Sequence, residues 1–286
     1  MTSRRDLLRL ALGGGLVFVG ATACGRSGES TTTTTSHAAA PTDPLLPPDP
    51  VRTVTPGSPA RRVIALSSAD LDVLLALGHE PTAAWAVEGT GPRPWRRQPA
   101  PPAPDWNQPG PPSLRSLLPF GVDAFAMATA DATESQMRAY ERLGAVIADP
   151  AGRPGWRDHL DLIAGAVGRD PGPVAESTTQ ALEAWAEGQR SIGVDTFVVV
   201  IGTGADPDTP VATLAADSPL GAEFGALGFD VLDRPESVPF GDLRRPGVQV
   251  VRVDPRDADL VSAIRQPSVT ALPWALERLV RGRRPG

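Results

Sequence analysis

The chain has 286 residues, 41% of them hydrophobic and 21% charged, with a formal net charge of −6 and one cysteine. That length supplies one large domain or two smaller ones with ample buried core. The acidic balance argues against a nucleic-acid partner, which wants a basic excess, and a lone cysteine excludes an internal disulfide.

The first 24 residues read as an export signal. Arg4-Arg5-Asp6-Leu7-Leu8-Arg9 precedes a Gly-rich apolar stretch from Leu10 to Gly20, then Ala21-Thr22-Ala23-Cys24. The paired arginines and weakly apolar core fit a twin-arginine signal, too short to span a bilayer. Small residues before Cys24 resemble a bacterial lipoprotein cleavage site, in which Cys24 is lipidated, although Ala21 stands where leucine is usual. Losing Arg4, Arg5, Arg9 and Asp6 with the signal takes the formal charge from −6 to −8. Residues 25–60, with the run Thr31 to Thr35 and many prolines, read as a disordered tether that cannot bury enough apolar surface to offset its ordering entropy.

Order is expected from Arg61. Val63 to Leu66 suits a buried strand, Ser67 or Ser68 caps a helix carrying Leu71, Leu74, Leu75 and Leu77 as far as Gly78, and Ala83 to Val87 is a second strand. Residues 88–119 form a long Pro-rich loop around Trp95 and Trp106. Val122 to Met127 is the next strand. A helix follows from about Thr133 to Leu143, presenting Met137, Tyr140 and Leu143, and then the strand Ala145 to Ile147. Trp156, Leu160, Ile163 and Val167 mark another helix ending near Gly168.

The longest helix is predicted from Pro173 to about Gln189, with Val174, Thr178, Ala181, Leu182 and Trp185 at helical spacing. At 1.5 Å per residue it is roughly 25 Å long, enough to join two lobes. Thr196 to Ile201 is the strongest strand, β-branched as in a sheet covered on both faces. Ser218-Pro219 starts a helix ending at Gly228, and Phe229 to Leu232 and Val248 to Val253 are strands. Asp254-Pro255 starts a helix through Leu260 and Ile264, and Pro273 opens the last one. The fold class is therefore α/β, with two Rossmann-like lobes connected by a single long α-helix. The expected divisions are signal 1–24, tether 25–60, N-terminal lobe 61–150, connecting helices 151–190 and C-terminal lobe 191–286.

The run Arg61-Arg62-Val63-Ile64-Ala65-Leu66-Ser67-Ser68-Ala69-Asp70-Leu71 through Leu77-Gly78 resembles the opening of the periplasmic binding proteins that serve iron–siderophore and cobalamin ABC importers. Val122 to Gly144 and Ser218-Pro219-Leu220-Gly221 through Leu227-Gly228 resemble later parts of that family. The resemblance implies a ligand cleft between two lobes with little hinge motion. It also implies one carboxylate per lobe docking on arginines of the ABC permease. Glu134 matches the first-lobe acid; its other reading is a first-turn residue that complements the helix dipole and completes a cap from Asp131 or Thr133. On the second lobe Asp242 is the first choice and Glu236 the second.

A ligand site is expected between the lobes, at loops leaving the carboxyl ends of strands. Arg93, Trp95, Arg96 and Arg97, with Trp85 before them, combine guanidiniums for carboxylate or catecholate oxygens with flat apolar walls. The 27 basic residues are all Arg, which discounts each one as a signal, and the plain alternative is a solvated Pro-rich loop. Thr203, Asp217 and Ser218 follow strands of the second lobe. His37, His79 and His159 share no metal-ligand spacing, and Tyr140 reads as core packing. No Gly-x-Ser-x-Gly elbow or phosphate loop is present. The expectation is a non-enzymatic, cofactor-free, monomeric lipoprotein on the outer face of the cell membrane. It would capture a ferric siderophore for an ABC permease. Cobalamin binding and a scaffold role without transport are the alternatives.

Overall fold

A computed structural model of the chain describes residues 58–86, 91–99, 101, 111–128, 133–149, 155–201, 210–232, 238–239 and 247–281. Cys24, the tether as far as residue 57, Thr203, Glu236 and Asp242 lie outside the described residues.

Four short strands, β1 (Val63–Ala65), β2 (Ala83–Ala84), β3 (Ala124–Ala126) and β4 (Ala145–Ile147), form a wholly parallel sheet in the order β2-β1-β3-β4. Ile64 faces Ala83 on one side and Phe125 on the other, and Phe125 faces Val146. The strands are runs of small and β-branched apolar residues because both faces are covered. On one face Val63, Ala65 and Ala126 pack under helices α1 (Ser68–Ala76) and α4 (Trp156–Val167). On the other, Ile64, Phe125 and Val146 pack with α2 (Leu114–Leu117) and α3 (Glu134–Glu141), where Tyr140 donates to Pro112 O at 2.7 Å. The expected packing role of Tyr140 is thus observed, and burial pushes its phenol up to about 12. The expected loop through residue 119 gives way to α2 and a 3₁₀ turn over Leu118–Phe120.

Helix α5 (Gly172–Ser191) has 20 residues, about 30 Å at the α-helical rise. It buries Ala175, Thr178, Leu182, Ala186 and Gln189 at steps of three and four, whereas Ala181, expected on that face, is exposed.

Beyond α5 the central strand β5 (Thr196–Ile201) lies parallel to β9 (Val248–Val253) along its full length. Its other edge pairs with β7 (Asp230–Val231), parallel, near its start and with β6 (Pro210–Thr213), antiparallel, near its end. Strand β8 (Val238–Pro239) adds to β6. The sheet is covered by α6 (Pro219–Ala226), α7 (Ala258–Arg265) and α8 (Ala271–Arg281). An aromatic group fills this core: Phe197 stacks on Phe224 at 4.6 Å and meets Phe229 edge-on at 5.0 Å, with Trp185 of α5 at 5.4 Å. Two predicted helix starts shift. Asp254 turns the chain by accepting from Arg256 N, so the cap of α7 is Asp257, which accepts from Leu260 N at 3.1 Å. Helix α8 begins two residues before Pro273 because Ser268 Oγ accepts from Ala271 N at 3.0 Å. Among the described residues no helix is long and apolar enough to cross a membrane.

Candidate functional site

Helix α1 is buried on every side from Ser68 to Leu75, although two aspartates lie within it. Buried carboxylates need partners, and these two find them in different directions. Asp70 accepts from Ser67 Oγ and stands 2.8 Å from Nε2 of His159 on α4, with all three residues buried. Ser67 is also the cap of α1, accepting from Asp70 N at 3.0 Å. The order is hydroxyl, carboxylate, imidazole. A nucleophile needs the imidazole beside the hydroxyl, so this trio joins α1 to α4 and does not activate Ser67.

Asp72 turns toward the loop after β2 and toward the second half of the chain. Its Oδ2 accepts from Trp95 Nε1 at 2.7 Å and from Ser268 Oγ at 2.8 Å, while Arg96 Nε donates to Oδ1. The Arg96 guanidinium also donates to Ser68 Oγ at 2.6 Å and to Gly91 O at 3.1 Å. The side chains of Arg96 and Asp72 are 3% and 1% exposed, so this is a buried ion pair. Burial raises the Asp72 carboxyl above the usual range, and Arg96 and the hydrogen bonds oppose that rise. Trp95 lies 4.9 Å from Trp274 of α8 and belongs to the same apolar core as Phe197 and Leu276. Arg93 donates to Asp259 of α7 at 2.7 Å.

Three of the residues expected at a ligand, Arg93, Trp95 and Arg96, are therefore engaged by Asp259, Asp72 and Trp274. Arg97 is exposed and lines a cavity of about 510 Å³ with Leu75, Val174, Thr178 and Val269. Trp85 continues from β2, half-buried against the first core, with its backbone N donating to Ala65 O at 2.8 Å. Ser218 caps α6: its Oγ accepts from Gly221 N at 3.1 Å and donates to Ala215 O at 2.6 Å. The exposed Asp217 precedes it. The structure thus brings Trp95 and Arg96 to Asp72, ties Arg93 to Asp259, leaves Arg97 at the cavity, and places Trp85 and Ser218 at the ends of other elements.

Glu134 opens α3 with a half-exposed side chain, 2.6 Å from Arg138 one turn on. The helix is capped by Thr133, and Gln136, not Glu134, closes the capping box, its Oε1 accepting from Thr133 N at 2.7 Å. Glu134 is thereby left at the surface. On the second lobe Glu223 of α6 is buried and accepts from Trp156 N, at the start of α4, at 3.3 Å. Sequence reasoning did not single out Asp72, Ser268, Asp259, Trp274 or Glu223. The one available signal was a pair of aspartates inside a nine-residue helix whose other members are Ser, Ala, Leu and Val.

This fold is shared with solved periplasmic solute-binding structures. One from Mycobacterium smegmatis is 17% identical, with a TM-score of 0.57, over 78% of this chain and 93% of that one. The iron uptake ABC transporter substrate-binding protein PiaA from Streptococcus pneumoniae is 13% identical, with a TM-score of 0.58, over 77% of this chain and 91% of its own. PiaA in complex with ferrichrome is 12% identical over 78% and 91%, again with a TM-score of 0.58. No protein-family model and no curated protein matches this sequence.

Proposed function

We propose that this chain is an extracytoplasmic solute-binding lipoprotein that captures a ferric siderophore and presents it to an ABC permease. The observation that carries this reading is the fold. Two parallel-rich α/β lobes joined by the 20-residue α5 are the architecture of solved periplasmic binding proteins, one of which holds ferrichrome. The role asks for no chemistry on the ligand and no cofactor; the protein binds, orients and releases. In this reading the twin-arginine signal exports the chain, Cys24 carries the lipid, and the tether holds the body off the membrane. Order begins slightly before Arg61, since Ala60 at the tether's expected end is buried in the first core and its N donates to Ala166 O at 2.9 Å. Lipoprotein modification supplies more than one acyl chain, as stable anchoring requires.

The ligand would sit where loops leave the carboxyl ends of the two sheets, with Trp85 and Arg97 on the first lobe and Thr203 and Ser218 on the second. Arg93, Trp95 and Arg96 would frame the site, since each already has a partner. Glu134 is the proposed first-lobe contact to the permease, matched on the second lobe by Asp242 or Glu236. The body would act as a monomer.

The test is intrinsic tryptophan fluorescence of the mature chain, titrated separately with ferrichrome, a ferric catecholate, haem and cobalamin. Saturable quenching by a ferric siderophore is expected, and Arg97→Ala should weaken it about tenfold, the cost of one charge-assisted hydrogen bond. A response to cobalamin alone would move the protein to the cobalamin class. Silence toward all four would overturn the transport reading in favour of a scaffold.

A further inference from the structure

Asp72 lies in α1 of the first lobe, yet its carboxylate is held by three donors from two places far apart in the chain. Trp95 and Arg96 approach from the loop after β2, and Ser268, 196 residues away, approaches from the turn before α8. Ser268 is itself fully buried, and its Oγ also accepts from Ala271 N, so it fixes the first turn of α8 while donating to Asp72. The Trp95 indole is held at one end by Asp72 and seated at the other on Trp274 in the second-lobe core. Arg93 repeats the link from the same loop, reaching Asp259 of α7. Pro92 and Pro94 alternate with these residues and restrict the backbone between them. Cavities of about 510 and 310 Å³ flank the segment, one lined by Arg97 and Gln98 and the other by Pro94 and Trp274.

A buried carboxylate that shares its donors between two lobes is stable only when both lobes are in place. If Ser268 and Trp95 withdraw, the carboxylate keeps Arg96 and loses two of its three donors. We propose that Asp72 is the positioning residue that sets the placement of one lobe against the other, with residues 91–97 acting as a strap that α1 holds through Trp95 and Arg96 and that α7 and α8 hold through Arg93 and Trp95. Through that placement it would also set the shape of the ligand cleft; only this last consequence rests on the solute-binding reading.

The experiment is amide hydrogen exchange on the mature chain, comparing wild type with Asp72→Asn, Ser268→Ala and Asp259→Asn. Ferrichrome affinity is then measured on the same proteins. Asp72→Asn is expected to raise exchange about tenfold in residues 91–97 and 266–272, leaving α4 protected. Ser268→Ala should raise it at 266–272, and Asp259→Asn should raise it at 91–97 by a smaller factor. If Asp72→Asn does not fold, the other two variants decide. Unchanged exchange in both segments would overturn the proposal. So would a rise spread evenly over α1 and α4, because Asp72 would then act only within its own lobe. Failure of wild type to bind ferrichrome would count against the transport reading while leaving the exchange result to be read by itself.

Discussion

Glu223 has a carboxylate buried beside the first turn of α4, where Trp156 N donates to it. Burial raises its pKa above the ordinary 4.5; the Trp156 hydrogen bond opposes that rise, and the charge of Asp158 adds to it. The folded chain therefore holds the proton to higher pH than the unfolded chain does. Between 4.5 and the raised value the folded state binds more protons, so stability falls as pH rises through that window. Glu223→Gln keeps an acceptor for Trp156 N and removes the charge. The variant should melt higher than wild type at about pH 8 and close to it at about pH 4, as read by calorimetric melting at both. A constant difference at the two pH values would assign Glu223 a packing role only. None of this was legible in the sequence, where Glu223 is one acid among 33 Asp and Glu residues. Asp70 and Asp72 were better marked, since a carboxylate in an apolar helix must have a partner, but the sequence could not say that one turns to His159 and the other to Ser268.

Elements with a strong period or a strong cap were legible. Helices α3, α4 and α5 and strands β5 and β9 fall within a few residues of expectation, because each combines a repeated apolar face or a β-branched run with a Thr, Gly or, for α5, Pro signal at an end. Strands β6 and β8 were missed for a physical reason: Pro210 opens one and pairs with Pro239 of the other, and proline cannot donate to a ladder, so the local pattern argues against a strand. The α7 start was misplaced because Asp254 and Asp257 are both good caps and the nearer turn took the first. Helix α6 carries a sharper lesson in its two glycines. A Cβ on Gly221 would crowd the carbonyl oxygens of Ala215 and Ala216, the latter at 2.6 Å, whereas one on Gly225 meets nothing within 4 Å. Gly221→Ala should therefore destabilise the protein by about 1–3 kcal/mol, as overpacking does. Gly225→Ala should stabilise it by about 0.5–1 kcal/mol through helix propensity. Urea unfolding of both variants checks the opposite signs, and equal shifts would mean that the turn before α6 yields to the added methyl.

At the scale of the molecule, the two-lobed plan was legible because α5 and the strands around it announce themselves locally. The ties between the lobes were not, since they join residues with large separations in sequence and have no local pattern: Arg93 to Asp259 is 166 residues and Asp72 to Ser268 is 196. These ties bear on how the body unfolds. Trp95 leaves the first lobe to pack in the core of the second. Thr178 Oγ1 and Trp185 Nε1 of α5 donate to Val269 O and Leu276 O, at 3.3 and 3.1 Å. Glu223 of α6 accepts from the first residue of α4. Losing either lobe would strip buried partners from the other, so neither should melt alone. Scanning calorimetry of residues 58–286 should show one transition whose calorimetric and van't Hoff enthalpies agree, as for a single cooperative unit. Two resolved transitions, or a calorimetric enthalpy about twice the van't Hoff value, would show instead that each lobe is stable without the other and that the buried ties register the lobes but do not hold them folded.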